Sequence, residues 1–295
     1  MNMQPANFGK KIKDTRKSLG LTQKELCDRV CTQGYLSRLE KGEYAPTLPV
    51  YFGLCKKLGV DPESFYKSSE MMEQDDYVKE VIFEIRKAAS KRDYHFILKN
   101  VNIELSNPAF QGNKERQFLL WHLGVGKYYL QKDFEGAINT LDEALTLSNR
   151  RSGIIYDYYL EVLLSKAIIY SDEKKYTDAL MIYTEVERSI NSHMEVDDSK
   201  FIVRFYYNYA RLTNMLKDFT HTISLVNKGI ELCLDNEFIY LLGDLHYLKG
   251  INFYDMDSYE DAHISFQNAF YSYSLINHEV LVERSLNALK ETQEK

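Results

Sequence analysis

Apolar positions along the first 67 residues recur at helical spacing. Phe8, Ile12 and Leu19 fall at i, i+4 and i+11, one face of a helix that Gly20 ends. Thr22 with Glu25 three residues on forms a capping box, and Leu26 and Val30 make the inward face of the second helix it opens. Thr32 caps a third helix running to Glu40 with Leu36 and Leu39 inward, closed by Lys41-Gly42-Glu43. Pro46 and Thr47 precede a fourth carrying Leu48, Leu54 and Leu58, which Gly59 ends. Asp61-Pro62-Glu63 opens a short fifth helix with Phe65. Five short helices, the second and third joined by a tight turn, predict a helix-turn-helix unit.

Past this segment the pattern becomes periodic on a longer scale. A phrase consisting of an aromatic, two mostly polar residues and a small residue opens an amphipathic helix at Phe134–Ala137, Tyr176–Ala179, Phe219–Thr222 and Tyr259–Ala262. A fainter copy occurs at Asp93-Tyr94-His95-Phe96. The key positions Phe96, Ala137, Ala179, Thr222 and Ala262 are 41, 42, 43 and 40 residues apart. Ala144, Val186, Gly229 and Ala269 each lie seven further on, and Tyr128, Tyr170 and Phe253 each lie nine before. A small residue that lets two helices approach closely, repeated this way, matches lengthened tetratricopeptide units, whose ordinary period is about 34 residues. The fold expected is all-α: a five-helix head of the lambda-repressor kind, then a right-handed superhelix of about five helix pairs with a closing helix near His278–Glu291. The polar stretch around Lys67–Glu70 and Gln74–Asp76 places a linker at 68–76, between a DNA-binding domain at 1–67 and a repeat domain at 77–295.

Composition narrows the function. The chain has 295 residues and a net charge of -6, but the charge is uneven. Residues 1–67 carry twelve Lys and Arg against seven Asp and Glu, a net of +5, and the remainder carries a net of -11. A polyanion is therefore expected at the head alone. No run of about 18 apolar residues is present, so no membrane span or membrane partner is expected. The lysine-rich start has no apolar core segment of a secretory signal, and the four cysteines, Cys27, Cys31, Cys55 and Cys233, read as reduced thiols of a cytoplasmic protein. No glycine-rich phosphate loop, nucleophile elbow or metal-spaced His and Cys set occurs, so neither an enzyme nor a cofactor or metal is expected.

Gly20 to Leu26, followed by Tyr35-Leu36-Ser37-Arg38-Leu39-Glu40-Lys41-Gly42 and Pro46-Thr47-Leu48, closely resembles the phage-repressor class of helix-turn-helix domains. The third helix should then enter the major groove of duplex operator DNA. Gln33 is suited to adenine and Arg38 to guanine. By resemblance Gln33, Gly34 and Arg38 occupy the base-reading positions, with Gly34 lacking the expected side chain and Tyr35 a candidate substitute. Gln23, at a helix start, is the phosphate candidate. Thr32, Ser37, Lys41 and Tyr44 complete the DNA-facing set. Within the domain, Glu25 and Glu40 are alternative partners for Arg38.

Stacked helix pairs enclose a concave face lined by the first helix of each pair. Counting back from the key positions, that face includes His122, Leu123, Gly126 and Tyr129; Ser165 and Ile168; Arg204, Tyr207, Asn208 and Arg211; and Tyr247, Leu248, Ile251 and Tyr254. Lys91 and Arg92 are candidates for its mouth. A mixed aromatic, amide and cationic surface suits an extended peptide. The candidate peptide-binding residues are His122, Tyr129, Ser165, Arg204, Tyr207, Asn208, Arg211, Tyr247 and Tyr254, with Asn208 placed to bond both sides of a ligand peptide unit and Arg204 and Arg211 suited to a carboxylate. The whole chain resembles the peptide-pheromone-responsive transcription regulators of Gram-positive bacteria, the Rap/NprR/PlcR/PrgX group. That resemblance implies a homodimer, a pseudo-palindromic operator and control by a short signalling peptide. Leu248 and Ser165 stand where an amide is expected, so the peptide should differ from those of known members. A regulator whose repeats hold a protein partner is the alternative.

Overall fold

A computed structural model of the chain describes residues 5–66, 69–148, 158–192 and 198–295, and no strand occurs among them. The chain divides into two compact units, Met1–Lys87 and Ala88–Lys295.

The first unit opens with α1 (Pro5–Ser18), α2 (Gln23–Cys27), α3 (Gln33–Glu40), α4 (Leu48–Leu58) and α5 (Pro62–Tyr66). Both bonds of the Thr22–Glu25 box are made: the Glu25 amide donates to the Thr22 hydroxyl at 3.2 Å and the Thr22 amide to the Glu25 carboxylate at 2.7 Å. Thr32 caps α3, accepting from the Tyr35 amide at 3.2 Å. Phe8, Ile12, Leu26, Leu36, Leu39, Tyr51, Leu54, Leu58 and Phe65 form the core, with Cys27 and Cys55 among them. Two expected core positions are instead exposed. Leu19 falls past the last residue of α1, where the chain turns through Gly20 at φ 71°, and Leu48 sits at the open first turn of α4.

Next, α6 (Ser69–Ser90) runs as one helix through the stretch that the sequence reads as a linker, and the compact units divide near its end. Lys67 and Ser68 lie outside the described residues.

The second unit contains α7 (Tyr94–Glu104), α8 (Asn113–Gly126), α9 (Phe134–Thr146), α10 (Tyr159–Asp172), α11 (Tyr176–Asn191), α12 (Ser199–Met215), α13 (Phe219–Asp235), α14 (Leu242–Asp255), α15 (Tyr259–Leu275) and α16 (Glu279–Gln293). The recurring phrase now has a stereochemical meaning. A residue in the left-handed region precedes each helix opening: Arg92, Lys132, Lys174, Lys217 and Asp257, with φ between 56° and 60°. The next residue caps the helix, and Asp93, Asp133 and Asp218 accept from the amide three residues on at 3.0, 2.9 and 3.2 Å. The aromatic is thus the first helical residue.

Ala137, Ala179, Thr222 and Ala262 are fully buried, as the close approach of paired helices demands. Thr222 is tolerated at an alanine position because its hydroxyl meets that of Thr213 at 2.9 Å and donates to the Asp218 carbonyl at 2.9 Å. Phe96 breaks the pattern. It is 37% exposed, and Ile97, Leu98 and Val101 supply the buried face of α7. The main core runs from α10 to α14, where the rings of Tyr183 and Tyr209 stack at 5.0 Å and 2°. The last helix begins one residue after the expected start, with His278 as its N-cap.

Candidate functional site

Helix α3 turns Leu36 and Leu39 inward and leaves Gln33, Gly34 and Arg38 exposed on one face, with Ser37 half-buried and Lys41 exposed just beyond. A Cβ built at Gly34 meets nothing within 4 Å, so the fold does not require glycine there. Thr32 is exposed, but its hydroxyl is committed to the helix cap. Tyr35 packs its ring on Tyr44 at 4.9 Å, and the Tyr44 hydroxyl donates to the Tyr35 carbonyl at 2.9 Å. Both tyrosines are therefore braced against the domain.

Arg38 does not pair with Glu25 or Glu40. Its Nε donates to Glu43 at 2.6 Å while the guanidinium lies over the Tyr44 ring at 5.2 Å. Glu25 is taken by the Thr22 cap, and Glu40 points into the interior. There Arg16, unremarked in the sequence, makes a two-pronged bond to Glu40 at 2.7 and 3.0 Å and donates to the Leu21 carbonyl at 2.7 Å. Gln23, the phosphate candidate, donates its amide to the same Glu40 carboxylate at 2.9 Å. Burial pushes the Glu40 carboxyl up, but the bonds from Arg16 and Gln23 and the charges of Arg16 and Lys13 outweigh it. They hold Glu40 below the usual carboxylate range.

In the second unit a cavity of about 660 Å³ opens among the inner helices. Helix α12 presents Arg204, Tyr207, Asn208 and Arg211 to it, and α14 presents Asp244, Tyr247, Leu248 and Ile251. Both sets have the spacing i, i+3, i+4, i+7, which is one helix face. Ile168 joins them from α10, as its place in the repeat predicts. Tyr129 arrives by a device with no sequence signal: a π turn over Lys127–Gln131 extends α8 and ends at Lys132. Its hydroxyl donates to Asp172 at 3.0 Å, its ring stacks on Tyr94 at 5.0 Å, and burial with the nearby Asp172 charge drives its pKa upward.

Asn208 is buried and half engaged. Its Nδ2 donates to the Arg204 carbonyl at 2.8 Å and its Oδ1 accepts from Arg211 at 3.4 Å. Arg211 also faces Asp172 at 4.0 Å. Arg284, from α16, lies over the Tyr247 ring at 4.3 Å. Asp244 accepts a hydrogen bond from Tyr273. Burial raises its pKa even so, against that bond and the charges of His278 and Arg284.

Three of the nine peptide candidates do not line this cavity. His122 is buried between Phe118 and Trp121, with ring centroids 4.2 and 4.3 Å away. Ser165 accepts from the Trp121 indole at 2.7 Å and donates to the Glu161 carbonyl at 2.9 Å. Tyr254 packs edge-on against Tyr259 at 5.3 Å. Each fills a joint between helices, an alternative that spacing alone does not separate from groove lining. Conversely, Asp172 and Asp244 were legible, because they lie four after Ile168 and three before Tyr247. Tyr273 and Arg284 were not, since α15 and α16 are not first helices of a pair.

Comparisons with known proteins follow the same division. Residues 65–291 match the RNPP family C-terminal domain, and residues 12–65 match a helix-turn-helix family. An uncharacterized HTH-type transcriptional regulator of Methanothermobacter thermautotrophicus is 45% identical over 49 residues, 16% of this chain and 71% of that protein. Among solved structures, Bacillus thuringiensis PlcR in complex with the peptide PapR7 and DNA superposes with a TM-score of 0.75 at 23% identity, covering 96% of this chain and 99% of that one. The apo form of PlcR gives 0.68 at 22% identity, covering 96% and 98%. ComR from S. thermophilus, in complex with DNA and its signalling peptide ComS, gives 0.63 at 14% identity, covering 97% and 99%. Among the described residues no helix is long and apolar enough to cross a membrane. With a family domain spanning most of its length behind a helix-turn-helix, the chain belongs to the RNPP family, and its family and fold are those of transcription regulators rather than enzymes.

Proposed function

We propose that this chain is a cytoplasmic, homodimeric transcription regulator that reads duplex operator DNA through α3 and is controlled by a short signalling peptide held in the cavity of its second unit. The observation that carries the reading is the α12 face, where two arginines, a tyrosine and an amide converge on a cavity of about 660 Å³. That volume lies within the range of about 300–1,000 Å³ usual for small-ligand sites, which favours a short peptide over a folded partner. Asn208 suits a peptide backbone. An amide side chain offers two donors and two acceptor positions, and Asn208 spends one of each on Arg204 and Arg211. One donor and one acceptor are left for the C=O and N–H of a ligand.

In the head, Gln33, Gly34 and Arg38 form the base-reading face, with Thr32, Tyr35, Ser37 and Lys41 at its rim. Gln23 reaches a phosphate only by sharing its amide with Glu40. Arg38 must leave Glu43 to reach a base. Both ends of that pair are well exposed, and exposed ion pairs are worth only about 0–1 kcal/mol, so the exchange is easy. The supporting test starts from an operator selected out of random duplexes. Arg38→Ala should cost about 1–3 kcal/mol and relax preference at one base pair, while Lys41→Ala should weaken all sequences alike and lower the salt slope by about one. Equal loss on every sequence for both variants would remove Arg38 from base reading.

A further inference from the structure

The charge of the cavity is opposite to that of the unit around it. Beyond residue 67 the chain has a net charge of -11, yet Arg92, Arg204, Arg211 and Arg284 line the cavity against only Asp172 and Asp244. Both carboxylates are already engaged. Asp172 accepts from Tyr129 and faces Arg211, and Asp244 accepts from Tyr273 and is biased by burial toward its neutral form. Among the described residues, the Nε of Arg204 is buried with no hydrogen-bond acceptor. The Arg204 guanidinium has the Phe201 ring 5.8 Å away, and a ring face cannot replace an acceptor for a buried N–H. A guanidinium with one N–H left without an acceptor, in a cavity of excess positive charge, is suited to an anion.

We propose that the cavity's ligand carries a carboxylate and that Arg204 is the residue that selects for it, pairing that group with its guanidinium. This rests on the peptide reading above and narrows it to one ligand chemistry. The carboxylate has two sources in a peptide, an Asp or Glu side chain or the chain's own terminus. An acidic outer surface repels such a ligand weakly everywhere except at the cavity, which adds discrimination against non-productive sites.

The test uses the full-length protein and two pools of randomised seven-residue peptides, one with free C-termini and one amidated, with bound peptides separated by rapid gel filtration and identified by mass spectrometry. Retention from the amidated pool of only Asp- or Glu-containing peptides assigns the side-chain source. Retention of acid-free peptides only when the terminus is free assigns the terminus. Either supports the proposal, and Arg204→Gln should then reduce retention of those peptides at least tenfold, with Arg204→Lys restoring part of it. Should Arg204→Gln fail to fold, the wild-type selection still decides. Amidated, acid-free peptides retained as well as the rest would overturn the carboxylate requirement while leaving peptide binding intact. No retention from either pool would overturn peptide binding itself and this inference with it.

Discussion

Glu40 sits where three helices meet, bonded by Arg16 from α1 and Gln23 from α2 while it belongs to α3. Removing one partner strands a charge in the interior, so Glu40→Ala should cost the head about 3–5 kcal/mol in denaturant titration, the usual penalty for a broken buried pair. The pH dependence follows from the lowered folded-state pKa of Glu40. Its contribution is complete above the ordinary carboxylate range and is lost as pH falls through the depressed value. Acid melts of wild type should show this loss, and Glu40→Gln should flatten it. His246 acts in the same direction but at higher pH. Burial, helped by the charge of Lys249, lowers its pKa to about 4. The unfolded imidazole binds a proton near pH 6.5, so stability of the second unit should fall as pH drops from about 6.5 toward 4. Urea midpoints at pH 7 and pH 5 check this, and His246→Gln should narrow the gap between them.

Two glycines in helices make opposite demands at the scale of the element. At Gly34 an added methyl meets open space, and alanine is the better helix former by about 0.5–1 kcal/mol. At Gly250 on α14 the same methyl would lie 2.6 Å from the Phe266 ring of α15. Gly34→Ala should therefore hold or raise the melting temperature, and Gly250→Ala should lower it by the cost of overpacking, about 1–3 kcal/mol. A thermal melt in which both move the same way would contradict this account of helix approach. The repeat was readable because its punctuation is stereochemical: a left-handed residue, an N-cap, an aromatic and a small buried residue recur at intervals of 40 to 43 residues. It blurred at α7, where Phe96 took the place of a small residue and burial moved to Ile97 and Leu98. Leu19 misled for a related reason, since periodicity does not say where a helix stops.

At the scale of the whole molecule, the two-part organisation and the class of the chain were legible in charge asymmetry, capping signals and repeat spacing. The membership of the cavity was only partly so. The first-helix rule led to Tyr129, Arg204, Tyr207, Asn208, Arg211 and Tyr247, which line it, and equally to His122, Ser165 and Tyr254, which pack between helices. A helix face has a width that spacing does not give. Tyr129 enters through a π turn, and Arg284 comes from the closing helix. A cavity so assembled draws on seven helices and a π turn, so a ligand that fills it can order them together. Any control of the head by that ligand is a coupling free energy, of the order of 5- to 150-fold in affinity.

The most direct test measures the dissociation constant of the full-length protein for its selected operator by fluorescence anisotropy at fixed salt, with and without a saturating peptide recovered from the selection. The account predicts a change of at least fivefold in wild type, and no change in an Arg204→Gln, Asn208→Ala variant whose peptide-free affinity for DNA is unaltered. An operator affinity that stays the same while calorimetry records peptide binding would contradict it.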